Sequence, residues 1–439
     1  MCRSSDVIAI LRVKSIQKME KQAKDQIHTT EHSKLNAAPV SRNSFLRRMR
    51  KWSIRIIAST FGLIIALTVC ELGLRIIGVS YPLPYQADPY CGTKLQPHFS
   101  ALFTKEGRAY VQTTSDGRRD REYSKQKAAN VFRIAVLGDS YAEALQVEQP
   151  ETFWSVLQKE LQTCEKLQGK QLEVLNFGVS GFGTAQELQM LEHYVWEYQP
   201  DIVLLAFLTG NDISDNSAAL STNRVRPFYQ LENEQLVLDE SFREHPTYLA
   251  ANSTWGQLKT AWINRSRLLQ LMRESWNRVQ ESRSHSTQEQ QPERGLDAIY
   301  SPPQSTEWNE AWDITERILL RMNEMTREHG CLFCVVTLSN ALQVEPDAEK
   351  RAQMQQAAKL EHLFYPDFRV VECGNRNGFP VFPLAPAMQK EAERTQTYFH
   401  GFSNTRFGMG HWNRDGHQFA GEFMASEICK WLPSFDSPD

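Results

Sequence analysis

The chain of 439 residues can hold one large domain with accessory pieces, or two domains. Apolar and charged fractions of 41% and 23% are those of an ordinary globular protein, and a net charge of -3 gives no basis for a nucleic-acid partner. The sequence carries no internal repeat of the solenoid or propeller kind.

Residues 1–52 read as a largely disordered cytoplasmic tail, polar and mixed in charge up to about Ser41, and Met19 and Met49 are alternative starts. The uncharged run Ile56–Cys70 is short against the about 20 apolar residues of a full span. Glu71 and Arg75 are spaced to pair at i,i+4, however, while Ile76, Ile77 and Val79 extend the apolar face. Residues 53–79 are therefore expected to be a transmembrane signal anchor. Arg47, Arg48, Arg50, Lys51 and Arg55 crowd the N-terminal flank, so the positive-inside rule keeps the N-terminus cytoplasmic and exports the rest. A cleaved signal peptide is the rival reading, although no small-x-small site follows the run. A lipoprotein box at Cys70 would have Val69 where a small residue is wanted. A buried core helix is disfavoured by the one-sided basic flank.

Residues 80–130 are Pro-bearing and polar, and are expected to form an extended lead-in crossing the domain surface. From Val131 the pattern changes. The apolar runs "VFRIAVLG", "LEVLNFGV", "DIVLLAFL" and "CLFCVVTLS", and a short one around "FPVFPL", alternate with helical stretches. The helices read as "TFWSVLQKELQ", "AQELQMLEHYVWEY", "AWDITERILLRMNEMTREHG" and a last one from about Asp415 to Leu432. Such alternation predicts βαβ units and a parallel sheet covered on both faces. Cys331 and Cys334 fall in a buried strand on opposite faces, so packing is their expected role; any disulfide pairing is undeducible from sequence.

An insert over 213–307 breaks the rhythm. It opens with a hairpin-like stretch, "RPFYQLENEQLVLD". Trp255, Trp262, Leu269 and Trp276 then recur at steps of seven beside Leu258, Met272 and Val279, one apolar stripe on a helix. The stripe is expected to pack on the main domain as a cap; resting on a membrane is the alternative. Residues 281–306 read as a solvated, mobile loop.

Ligands of a parallel α/β sheet bind beyond the C-terminal strand ends. Ser140 stands at such an end in "LGDSYAEA", at a turn into a helix. Alone it is a weak signal, because Gly-Asp-Ser is a common turn. The next two strands end in "LNFGVSGFGT" and "FLTGNDISDN" on the same edge. Acyl transfer needs donors aimed at a developing oxyanion, and Ser140 N–H, Gly181 N–H and the Asn211 side chain are candidates. Each has a plain alternative: Gly181 as a turn glycine, Asn211 as a helix cap.

These stretches resemble the SGNH/GDSL hydrolase family, in its membrane-anchored bacterial form. Ser140 in "GDS" matches the family's nucleophile, Gly181 in "GVSG" and Asn211 in "GND" its oxyanion residues, and His411 in "GHWN" its general base. The resemblance covers about Tyr81 to Leu432 and is weakest through the insert. It implies a three-layer α/β/α sandwich with a central parallel sheet, flavodoxin-like, over residues 131–433 with an inserted cap-like region. The "H-x-N" turn selects His411 as base over His417, which falls within the last helix as a packing or capping residue. A metal site is disfavoured, since H-x₅-H with one acid is poor ligand spacing. The family's Asp, two or three residues before the base, is missing: Gly408 and Met409 stand there. A Ser-His dyad is therefore expected, with His411 Nδ1–H held by a backbone carbonyl or an acid from elsewhere. Asp415 is nearest in sequence and reads as an N-cap.

The resemblance implies a cofactor-independent esterase acting on O-acyl, chiefly O-acetyl, groups of envelope or extracellular carbohydrate or lipid, with the catalytic domain on the periplasmic side. An O-acyltransferase acting on a surface polysaccharide uses the same site, and a catalytically silent scaffold of this fold is the non-enzymatic alternative. The oligomeric state is not legible.

Overall fold

One continuous helix, Arg42–Ile76, carries the N-terminal apolar run. Its segment Phe45–Ile76 has a mean hydropathy of 2.0 over its most apolar window, none of it buried, which is long and apolar enough to cross a membrane. The helix thus begins upstream of the boundary expected at residue 53. The computed structural model describes residues 42–233, 235–288 and 296–433, together with Met19 and Gln22, so most of the expected disordered tail lies outside the described residues. From Glu71 onward the chain is a compact unit of its own.

The lead-in is less extended than its composition suggests. It forms two antiparallel hairpins, β1 (Tyr85–Asp88) with β2 (Gly92–Leu95) and β3 (Ser100–Phe103) with β4 (Ala109–Gln112). The main sheet follows: β5 (Val131–Gly138), β6 (Gln171–Asn176) and β7 (Ile202–Leu208). Beyond a small antiparallel pair in the insert, β8 (Phe228–Glu232) and β9 (Gln235–Asp239), come β10 (Leu332–Leu338) and β11 (Val381–Pro383). The order is β11-β10-β7-β5-β6, every main-sheet pair parallel. The chain leaves β5 towards β6 and then crosses back to β7, so the order reverses beside β5.

Side chains alternate between the two faces, and both faces are apolar because β5, β7 and β10 are near-continuous apolar runs. Ala135, Leu137, Val203, Leu205 and Val335 pack with the Thr306–Glu328 and Tyr365–Asn377 helices on one face. Ile134, Val136, Leu204, Ala206 and Val336 pack with the Phe153–Glu160, Leu384–Thr395 and Arg414–Trp431 helices on the other. This is the three-layer α/β/α sandwich. Cys331 and Cys334 are buried in opposite layers, in keeping with strand alternation. A disulfide joins Cys164 to Cys429, 265 residues apart, and fastens the last helix to the turn after the Phe153–Glu160 helix.

The insert departs from expectation. Trp255, Leu258, Trp262, Leu269, Met272, Trp276 and Val279 are all exposed, so the stripe is not a packed cap. It lies on two helices, Thr254–Arg265 and Arg267–Gln288, and the second continues through residues 281–288 where a loop was expected. Part of that loop, 289–295, is outside the described residues.

Candidate active site

Asp139 ends the turn out of β5. Its carboxylate accepts the Tyr141 N–H at 2.9 Å and caps the short Ser140–Glu143 helix, which holds Ser140 half-buried at the sheet edge. The loop after β6 packs on that helix. A Cβ at Gly178 would lie 2.4 Å from Ala142 Cβ, so only glycine permits the approach. Glu143, fully buried, accepts the Ser180 N–H at 2.5 Å and ties the loop down. Gly181 follows with φ of +77°, and a Cβ built there would meet nothing within 4 Å, so its backbone faces open space.

Asn211, after β7, occupies the cap position of the Asp212–Asp215 helix but makes no capping bond with its side chain. Its Nδ2 instead donates to Asp215 Oδ2 at 3.3 Å. Asp215 also pairs with Arg226 at 3.3 Å, and Arg226 Nη2 donates to the Gly181 carbonyl at 3.0 Å. One buried arginine thereby links the two loops that carry Gly181 and Asn211.

His411 arrives from the other end of the chain. Gly401 N–H donates to the His411 carbonyl and Asn413 N–H to that of Phe399, both at 2.9 Å, a short bridge that fixes the loop. His411 Nε2 lies 2.8 Å from Ser140 Oγ. Its Nδ1 lies 2.5 Å from Glu106 Oε2, and its backbone N–H donates to Glu106 Oε1 at 2.9 Å. Of the two partners expected for His411 Nδ1–H, a backbone carbonyl or an acid from elsewhere, the structure places an acid there, Glu106 in the β3–β4 turn. Gly410, with φ of +74°, is what admits it: a Cβ there would lie 2.1 Å from Glu106 Oε1. Asn404 clamps the same turn, accepting the Gly107 N–H at 3.0 Å and donating to the Gly107 carbonyl at 2.9 Å.

Electrostatics follow the geometry. Burial works against a charged His411, but the hydrogen bond and charge of Glu106 outweigh it and raise the imidazole pKa above its ordinary 6.5. Burial likewise opposes ionisation of Glu106, and the contacts to His411 overcome it, lowering that carboxyl below 4.5. Burial pushes Asp139 up to about 6.

The other candidates stay outside this arrangement. His417 is buried in the last helix, accepts the Phe153 N–H at 3.3 Å, and is held neutral by burial with a pKa of about 3. Asp415 is exposed, and the helix is capped by Asn413, whose side chain accepts the Gly416 N–H at 3.0 Å. Asn413, rather than Asp415, is the cap. Sequence reasoning missed Glu106, Arg226 and Glu143; no motif marks them, and only the acid next to a glycine in "TKEGR" hints at a tight turn bearing a carboxylate.

No protein-family model and no curated protein matches the chain. Among solved structures, the acetyl xylan esterase AlAXEase aligns at 12% identity and a TM-score of 0.35, over 68% of this chain and 100% of its own. A catalytic mutant of an acetylxylan esterase from Geobacillus stearothermophilus aligns at 12% identity and 0.34, over 71% and 100%. The lipase/acylhydrolase from Enterococcus faecalis aligns at 14% identity and 0.34, over 70% and 100%.

Proposed function

We propose that the chain is a membrane-tethered serine esterase of the SGNH/GDSL type. The observation that carries this reading is the unbroken line from Ser140 Oγ through the His411 ring to Glu106, with contacts of 2.8 and 2.5 Å. A histidine bonded to a carboxylate on one nitrogen and to an accessible serine on the other is the arrangement that activates a hydroxyl.

In the proposed reaction His411 Nε2 takes the Ser140 proton as Oγ attacks an ester carbonyl. The tetrahedral oxyanion is held by the N–H groups of Ser140 and Gly181 and by Asn211. His411 then protonates the leaving alcohol, and the acyl group remains on Ser140. Water, deprotonated by His411, attacks the acyl-enzyme; the acyl–Oγ bond breaks, His411 returns the proton to Ser140 Oγ, and the acid leaves. Glu106 holds the imidazole tautomer and stabilises its charged form throughout.

The helix Arg42–Ile76, with the basic residues Arg47, Arg48, Arg50, Lys51 and Arg55 in its N-terminal part, supports a single-pass tether with the N-terminus in the cytoplasm. The Cys164–Cys429 disulfide supports an oxidising, extracytoplasmic setting for the domain. Location then favours O-acyl groups of envelope or extracellular carbohydrate as substrates, with lipid esters second.

The test is labelling of the full chain in detergent by a fluorophosphonate. Modification of Ser140, absent in Ser140→Ala, is expected; a chain left unlabelled while folded would overturn the reading.

A further inference from the structure

The insert helices are turned inside out. Among residues 254–280 the buried side chains are polar, while the tryptophans are exposed. Gln270 and Glu274 are buried, Tyr81 N–H donates to Gln270 Oε1 at 2.9 Å, and Asn264 exchanges hydrogen bonds with the Leu83 backbone at 2.7 and 2.9 Å. Lys105 pairs with Glu274 at 3.5 Å. The outer face is apolar: Trp255, Trp262, Met272 and Trp276 are 66%, 55%, 60% and 62% exposed. Trp255 and Trp262 meet edge to face, ring centroids 6.1 Å apart, and exposed large apolar side chains in this number mark an interaction surface.

Its position in the chain identifies the occupant. The Glu71 carboxylate accepts the backbone N–H groups of Arg267 and Leu268 and the Ser266 hydroxyl, all at 3.0 Å, and Arg75 Nη2 donates to the Arg265 carbonyl at 2.6 Å. The turn between the two helices is therefore fastened to the segment Glu71–Ile76, in which the apolar N-terminal helix ends. Ile76 and Ile77 beside it are also exposed. Of the five basic side chains in residues 254–280, Lys259, Arg265 and Arg278 are exposed, whereas Arg267 turns inward and donates to Gln270 Oε1 at 3.0 Å; Glu274 is the one acid of the stretch. Tryptophan and leucine on one face with basic residues around them suit a bilayer interface with anionic headgroups.

We propose that the 254–280 helix pair rests on the membrane surface, its tryptophans in the boundary between headgroups and acyl chains, and so sets the orientation of the catalytic unit over the bilayer. The inference rests on the membrane tether proposed above.

The test uses the full chain with Cys2→Ser and Cys70→Ser in nanodiscs of phosphatidylcholine and phosphatidylglycerol. A nitroxide is placed singly through Trp262→Cys, Trp276→Cys or, in the N-terminal helix, Leu63→Cys, and its relaxation by oxygen is compared with that by a water-soluble nickel chelate. Oxygen favoured at all three positions is the expected result. Nickel favoured at 262 and 276 with oxygen favoured at 63 overturns the surface contact and leaves the tether standing. Shielding of 262 and 276 from both reagents shows a protein occupant and also overturns it. Nickel favoured at 63 overturns the tether itself.

Discussion

His411 Nδ1 and Glu106 Oε2 lie 2.5 Å apart although 305 residues separate them in the chain. The contact joins the β3–β4 turn of the lead-in to the loop before the last helix, so the lead-in is part of the proposed catalytic machinery rather than a connector.

Removing that charge tests the pairing. Glu106→Gln keeps the shape and loses the ability to fix the imidazole tautomer, so kcat for an activated ester is expected to fall by roughly 10³–10⁴-fold. Asp415→Asn, at an exposed helix position, is expected to leave kcat unchanged. Steady-state kinetics of the two variants against the parent chain check both.

The pH dependence has a defined sign. His411 must be neutral to accept the Ser140 proton, and its pKa is raised from 6.5, so the acid limb of kcat/KM is expected above pH 6.5. In Glu106→Gln the limb moves to lower pH, because the group that raised the pKa is gone. Stability shows the same pair from the other side. The raised histidine pKa contributes stability in full below 6.5 and loses it as pH rises through the folded value. The lowered Glu106 pKa contributes above 4.5 and loses it as pH falls. Their shared interaction is therefore complete between about 4.5 and 6.5, and the Tm difference between the parent and Glu106→Gln should be greatest there.

Gly410→Ala adds a methyl 2.1 Å from Glu106 Oε1 at a φ of +74°. The methyl displaces the Glu106 carboxylate and the positive φ strains the loop that carries His411, so kcat is expected to fall toward that of Glu106→Gln. Burial of the core is untouched, and circular dichroism should show an intact fold.

The proposed oxyanion donors give another measurable loss. Asn211→Ala is expected to lower kcat by roughly 10²–10³-fold with little change in KM, since the bond is made in the transition state. Arg226→Met breaks the link between Gly181 and Asp215 and should give a smaller fall in kcat of the same character.

The Cys164–Cys429 bridge, set within one helix layer, closes a loop of 265 residues that includes most of the main sheet. Its removal in Cys164→Ser with Cys429→Ser is expected to cost about 2–5 kcal/mol, read as a lower denaturation midpoint, with activity retained at low temperature.

Local features explain what the sequence disclosed. The β-branched runs bounded by Gly and Asn marked β5, β6 and β7, and with them the edge on which Ser140, Gly181 and Asn211 stand. The resemblance of "GHWN" to the family's turn, rather than any local spacing, separated His411 from His417. Contacts made only by tertiary packing were not legible. Glu106 carries no motif because its role depends on a turn pressed against Gly410 from the far end of the chain. The disulfide is equally long-range. The Trp stripe was legible as a face, yet period alone cannot say which side of an amphipathic helix meets protein, and here buried Gln270 and Glu274 took the inner side.

The most direct measurement is hydrolysis of p-nitrophenyl acetate by the full chain in detergent, beside Ser140→Ala, His411→Ala and Glu106→Gln. Activity in the parent, abolished in the first two and strongly reduced in the third, is the expected result. Turnover that survives in Ser140→Ala, or a Glu106→Gln variant as fast as the parent, would contradict a Ser140–His411–Glu106 mechanism.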